Sequence, residues 1–283
     1  STEDNDDGFE CEGSGLNTRI WGNRVIAPLT SGFAITPVIV GPLYAMRNIV
    51  NGSPNMTVDN CGEKQGNRAL GSGRAYMYHN TFYMTRVGPN DRESPGADNV
   101  VYRNNIFMGW RRAVEIQGDN CSLDYDNLVS PGADLVRWKS RSLAPEYYYN
   151  LASFQIGTGQ EINGLSVDPQ FVGPSQGDFR LQLASPLLER GKIIPGINDA
   201  GSPWPYTGLA PDIGAVERIE GAIAPVSTFT ATPLSGTPPL TVTFTNASSG
   251  DISGFFWDFG DGTSSTLRQP PNHIYTIGGQ YIV

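Results

Sequence analysis

The sequence predicts an all-β chain whose larger part is a parallel β-helix, and three observations carry that prediction. A short phrase recurs: TRIWGNRV (18–25), YAMRNIV (44–50), YMYHNTFY (76–83), VVYRNNIF (100–107), LDYDNLV (123–129) and YYYNLASF (147–154). From Asn to Asn, at 23, 48, 80, 105, 127 and 150, the steps are 25, 32, 25, 22 and 23 residues, a period that marks stacked repeats. Composition agrees, with Gly at 34 and Pro at 21 of 283 residues and only 17% charged, as in a loop-rich β protein.

A unit of about 22 residues without helical periodicity fits one rung of three short strands joined by turns. The recurring Asn tolerates the left-handed backbone of a tight bend. Stacked rung on rung, its amide can hydrogen-bond the equivalent Asn above and below, so Asn23, Asn80, Asn105 and Asn127 are expected in one ladder. Asn150 marks a sixth rung. Residues 86–99 read as an insertion before the next repeat that could wall a groove. Cys11, Cys61 and Cys121 have neither a close pair nor a metal-ligand spacing and read as small core residues.

The chain opens on STEDNDDGFECEGSG, with six carboxylates and no basic residue in the first twelve positions. If GFECEG is a strand, Phe9 and Cys11 point inward while Glu10 and Glu12 project outward. Two residues along a strand span about 6.6–7 Å, inside the carboxylate separation of about 6.5–9.5 Å used by inverting glycosidases. Asp6 and Asp7 sit at the preceding turn. Catalytic carboxylates are therefore sought at Asp7, Glu10, Glu12 and Glu115. The competing readings are calcium, held by Asp6, Asp7 and Glu10 as an oxygen-rich site on stacked turns, and a plain solvated acidic turn. In AVEIQGDN (113–120), Val114 and Ile116 read as core, and Glu115 and Gln117 face out as Glu10 and Glu12 do. Trp110, Arg111 and Arg112 precede them, and with Gln117 suit sugar stacking and carboxylate binding. His79 reads as a structural turn residue, and Lys64 as a candidate base for β-elimination.

Residues 166–217 run from SVDPQFVGPSQGDFRLQLASPLLERG to APDIGAVE. In order they carry Asp168, Pro169 and Phe171; Gly177 to Leu181; Ser185, Pro186 and Gly191; and Asp212 to Glu217. This segment resembles the closing segment of secreted right-handed parallel β-helix proteins of the pectate-lyase-like superfamily. The resemblance implies a right-handed solenoid over residues 1–221 that continues before residue 1, with a site in a groove along the outer face of one sheet. The Asp6-Asp7-Gly8 run is similar to that of polygalacturonase-type glycosidases, although their GHG and R-x-K signatures are absent here.

Residues 222–283 resemble a PKD domain, an immunoglobulin-like β-sandwich, through PLTVTFTN (239–246), WDFGDG (257–262) and HIY (273–275) followed by GGQYIV. Trp257 and Phe259 alternate inward, and Gly260, Asp261 and Gly262 make the turn. The family pattern runs one strand beyond Val283, so a neighbouring chain completing the sheet is an expected partner. The resemblance implies an extracellular or cell-surface location.

No run of 18 apolar residues is present to span a membrane. The net charge of −9 argues against a nucleic-acid partner. Together these readings point to an extracellular polysaccharide as partner, recognised and cleaved by lyase or glycoside hydrolase chemistry. The alternative is a non-catalytic structural or adhesive surface protein.

Overall fold

Short strands with inward apolar residues stack rung on rung, and the register shows how. The computed structural model describes residues 7–11, 15–28, 30–35, 38–52, 61–64, 73–90, 98–139, 144–219, 225–249, 252 and 254–283. They fall into two compact units, Ser1–Arg218 and Ile219–Val283.

Three parallel sheets wind round the first unit. The first contains Asp7–Glu10, Ser31–Ala34, Cys61–Lys64, the far half of Thr81–Asn90, Val114–Gln117 and Val136–Lys139. The second contains Thr18–Trp21, Leu43–Met46, Ala75–Tyr78, Val100–Arg103 and Ser122–Asp124. The third contains Arg24–Ile26, Ile49–Asn51, the near half of Thr81–Asn90, Ile106–Arg112 and Asn127–Val129. Every pairing among these strands is parallel, and the second sheet runs in step throughout, as Ile20↔Ala45, Ala45↔Met77, Met77↔Tyr102 and Tyr102↔Leu123; Ile106–Arg112 shifts register against Thr81–Asn90 around Gly109. Those five residues line the interior with Phe33, Val50, Phe82, Phe107, Val114, Ile116 and Leu128. Gly32 and Gly62 stand where any larger residue would collide: a Cβ would lie 2.3 Å from Val50 and 2.1 Å from Phe82. The expected insertion at 86–99 begins as strand, because Thr81–Asn90 is continuous; residues 91–97 lie outside the described set.

The amide ladder is present, with two corrections. The side-chain Nδ2 of Asn23 donates to Asn48 Oδ1, Asn48 to Asn80, and Asn80 to Asn105, each at 3.0 Å. Asn105 then donates to Asp126 Oδ1 at 2.7 Å. The last member is thus Asp126, not Asn127, which stands one position later and bonds the main chain of Val167 instead. Nor does the ladder residue itself take the left-handed bend. That falls to the residue before it: Gly22, Arg47, His79, Asn104 and Tyr125 have φ of 65°, 54°, 54°, 61° and 64°. The side chain of the ladder Asn replaces a main-chain partner at the corner, accepting the next backbone N–H as well as the next amide, as at Asn80 N→Asn105 Oδ1, 2.8 Å.

The sixth repeat is a false one. Asn150 caps a helix, Leu151–Thr158, its Oδ1 accepting the Ser153 N–H at 2.9 Å. Glu146–Tyr148 runs antiparallel to Val136–Lys139, and Phe154, wholly buried, packs edge-on against Trp138 and Tyr148 at 5.6 and 5.3 Å. This strand and helix close the far end of the core, since a parallel stack must cover its last apolar rung.

Residues 165–217 do a different job from ending the stack. They lie along the outside of the third sheet. Leu165 N bonds Asp126 O in the last rung, whereas Arg24 in the first reaches Gly177 O at 2.7 Å. Between them Phe171, Phe179, Leu181, Leu187, Ile213 and Ala215 form a second core on Ile49, Ile106 and Tyr83. Their outward apolar side chains would otherwise be wet.

In the second unit, Phe229–Thr232, Leu240–Asn246 and His273–Tyr275 form one antiparallel sheet, and Trp257–Asp258 pairs with Ser264–Ser265 in a hairpin. Trp257 and Phe259 are buried with Val242, Phe244 and Tyr275. The turn between the hairpin strands uses Gly260 and Gly262 at φ 75° and 87°, with Asp261 Oδ1 accepting the Thr263 N–H at 3.1 Å.

Candidate functional site

The outer face of the first sheet is where the sequence placed its chemistry. Register sets one outward row across it: Ala34, Lys64, Asn90, Glu115, Arg137 and, antiparallel, Tyr147, with the Glu10 backbone at the equivalent position of the strand before Ala34. By that register Glu10 and Glu115 are four strand spacings apart, about 19 Å, too far to act on one bond. Glu12 and Asp6 lie outside the described residues, as do the side chains of Asp7 and Glu10.

At the far end of the row the side chains converge. Val114 and Ile116 are in the core as expected and Glu115 points the other way, yet Glu115 is only 3% exposed. Two guanidinium groups cover it: Arg112 Nη1 donates to Oε2 and Arg137 Nη1 to Oε1, both at 3.0 Å. Arg112 also pairs with Asp134 through Nε and Nη2, and its guanidinium lies 5.3 Å from the Tyr147 ring centre. Burial works against the Arg112 charge, but Asp134 and Glu115 more than offset it, so the group is held charged, above its ordinary pKa. With both oxygens of Glu115 bonded to arginines, the carboxylate is a counter-ion for the cluster. Gln117, next on the same face, is likewise buried at 8%.

Arg111, half-buried, joins Arg112, Glu115, Arg137 and Tyr147 around an open cleft of about 320 Å³. Trp110, at 37% exposed, precedes it on the same strand. Three guanidinium groups face two carboxylates here, a local positive excess on an acidic chain. Such a cleft can take an anionic group with an apolar ring face beside it. Arg137, Asp134 and Tyr147 were not singled out in the sequence; the signal for Arg137 was its place two rung steps on from Asn90 in the outward row.

Of the other candidates, His79 is structural. His79 is buried; its Nδ1 sits 3.3 Å from Gly214 O, and its Nε2 takes the side-chain amides of Asn104 and Asn198 at 3.0 and 2.7 Å. Burial, with Arg47 nearby, lowers its pKa to about 3, so it is neutral. Lys64 is half-buried in the outward row, and Glu63 points inward, where the Tyr102 hydroxyl donates to it at 3.2 Å. Among the described residues no group of three or more His, Cys, Asp or Glu is arranged to hold a metal, and none of the three calcium candidates has a described side chain. No helix of the described residues is long and apolar enough to cross a membrane.

Residues 223–283 match the family model described as PKD domain. No solved structure matches the chain. Fold and site together define a β-solenoid protein whose C-terminal unit is a PKD domain, a module typical of extracellular or surface proteins.

Proposed function

We propose that this chain is an extracellular or cell-surface protein that binds an acidic polysaccharide along the outer face of the first sheet. The observation that carries this reading is the cluster of Arg111, Arg112 and Arg137 with Tyr147 and Trp110. The guanidiniums of Arg112 and Arg137 are set in place by Glu115 and Asp134 on a rigid parallel sheet, beside Arg111 in the same cleft, the arrangement that recognition of a planar carboxylate asks for. Cleavage would draw its acid and base from the strand around Asp7, Glu10 and Glu12, because Glu115 is engaged with arginines. A second reading, a non-catalytic adhesive or structural surface protein, is favoured by that same engagement, since an ion-pair cluster also stabilises a solenoid end.

The test is a binding panel of acidic and neutral polysaccharides with Trp110→Ala and Arg111→Gln, followed by assays for unsaturated ends and reducing sugar. Loss of one charge-assisted hydrogen bond, about 1.5–3 kcal/mol, should weaken binding of the acidic polymer roughly tenfold to a hundredfold, with the melting temperature unchanged. Absence of binding to every polymer, or equal binding by both variants, would transfer the assignment to the adhesive or structural reading. Turnover lost in Glu10→Gln but kept in Glu115→Gln would place the chemistry on the acidic strand.

A further inference from the structure

The amide ladder has two ends, and they differ in chemistry. At the first rung Asn23 spends its remaining donor on the carbonyl of Trp21 at an exposed corner. At the last, the amide is replaced by Asp126, and Glu161, from the turn after the helix, lies against it. Both residues are wholly buried. Asp126 Oδ1 accepts from Asn105 N and Nδ2, both at 2.7 Å, and the Asp126 N–H donates to Glu161 Oε2 at 3.1 Å. That accounts for one oxygen of each carboxyl. The other two, Asp126 Oδ2 and Glu161 Oε1, are shut off from solvent and meet no donor among the described residues.

Two ionised carboxylates, each with a bare oxygen in a dry site, would be strongly destabilising. A single proton removes the difficulty, because a carboxylic acid donates where a carboxylate cannot. We infer that Asp126 and Glu161 share one proton between Asp126 Oδ2 and Glu161 Oε1, and that this proton is the end stop of the ladder, making the last rung and its cap sensitive to pH.

The surroundings agree on where the proton sits. Burial pushes both carboxyls up, and the side-chain hydrogen bond between them favours charge on Asp126 and disfavours it on Glu161. Arg103, on the second sheet, faces Asp126 and favours its charge, whereas Asp124, on the last strand of that sheet, opposes charge on Glu161. Lys192, from the lateral segment, stands 5.3 Å from the ring centre of Tyr125, the neighbour of Asp126. Glu161 carries the proton and Asp126 the charge.

The residues this pair holds are those of the cap. The Glu161 N–H bonds Leu123 O at 2.8 Å, and its carbonyl takes the side-chain amide of Gln155, in the helix, at 2.6 Å. Unfolded, both carboxyls ionise in the ordinary range; folded, the pair keeps one proton to higher pH. The native state binds the extra proton in that window, so stability is full below the ordinary carboxylate range and falls as pH rises towards the folded value. One proton corresponds to a tenfold drop in the folding constant per pH unit.

The experiment measures the folding constant of the full chain from pH 5 to 8.5 for wild type, Glu161→Gln and Asp126→Asn, with infrared spectra of each folded protein at pH 7. Either amide supplies a permanent donor in place of the proton. The expected result is a wild-type curve steeper than both variants by up to tenfold per pH unit, crossing Glu161→Gln so that the variant is the more stable at the alkaline end. Burial also pushes Glu217 up to about 7, so a protonated-carboxyl C=O band is expected in all three proteins and should be stronger in wild type than in either variant. Parallel curves, or equal bands in the three proteins, overturn the inference. Should Glu161→Gln fail to fold, the Asp126→Asn curve and the band decide alone.

Discussion

Replacing Asn105 by leucine isolates what one rung of the ladder is worth. Asn105 is wholly buried and makes four side-chain hydrogen bonds: it accepts from Asn80 N at 2.8 Å and Asn80 Nδ2 at 3.0 Å, and donates to Met77 O at 2.8 Å and Asp126 Oδ1 at 2.7 Å. Asp126 Oδ1 keeps the Asn105 N–H, and Asn80 Nδ2 keeps the Ala45 carbonyl. Leucine leaves the Asn80 N–H bare and takes the side-chain donor from the carbonyl of Met77, a residue that stays paired in the sheet with Tyr102. A buried group without a partner costs about 1–3 kcal/mol, and leucine returns about 1 kcal/mol or more through apolar burial. With the second bond lost as well, the expected loss is about 2 kcal/mol. Asn23→Leu supplies the contrast: Asn23 is half-buried, no group among the described residues donates to its Oδ1, and water can replace it, so about 1 kcal/mol or less is expected. Urea unfolding of both variants at one pH, followed by far-ultraviolet circular dichroism, measures the difference. Equal losses in the two, or an unchanged midpoint for Asn105→Leu, would refute the assignment of the ladder as a buried polar support.

Phe154→Ala should cost about 3–5 kcal/mol, since the ring is wholly buried between Trp138 and Tyr148, and hydrogen exchange should quicken first at Val136–Lys139. Glu115→Gln should lower stability by about 1–3 kcal/mol by leaving Arg137 without its carboxylate, a loss read from the melting temperature and independent of any substrate. In the PKD domain, hydrogen bonds from Thr263 and His273 hold Asp261 down at about 2. The stability it adds is present above the ordinary carboxylate range and is lost as pH falls towards that value, so an acid titration of Asp261→Asn should show a flatter decline below pH 4 than wild type. Calcium, if held by Asp6, Asp7 and Glu10, should raise the melting temperature of wild type and not of Glu10→Gln; no shift in wild type would exclude that role.

The solenoid was legible because a stack repeats its constraints: the interior rows and the corner Asn recur at the same place in every rung, and period alone exposes them. What failed were features that look alike in one dimension. LDYDNLV offers both Asp126 and Asn127, and residue type pointed to the amide although the register puts the acid on the ladder. YYYNLASF has the rung's letters, yet Asn150 is an N-cap, because Asn serves both a strand corner and a helix start. The outward direction of Glu115 followed from alternation with Val114 and Ile116. Its burial did not, since that depends on Arg137, one rung later, and on Arg112 folding back across it. The WDFGDG turn was read correctly down to its glycines because the whole motif is local.

The segment that runs along the third sheet changes how the stack can come apart. An array in which each repeat touches only its neighbours frays from its ends and loses rungs one at a time. Here Arg24 bonds Gly177, Arg47 reaches Ala215 and Glu217, Thr81 bonds Ala215, and Asn104 bonds Lys192. One stretch of chain thus ties four successive rungs together across 88 to 170 residues of sequence. Contacts of that span carry the largest loop-closure cost, so the segment is expected to dock after the rungs and, once docked, to act as a clasp that makes them open together.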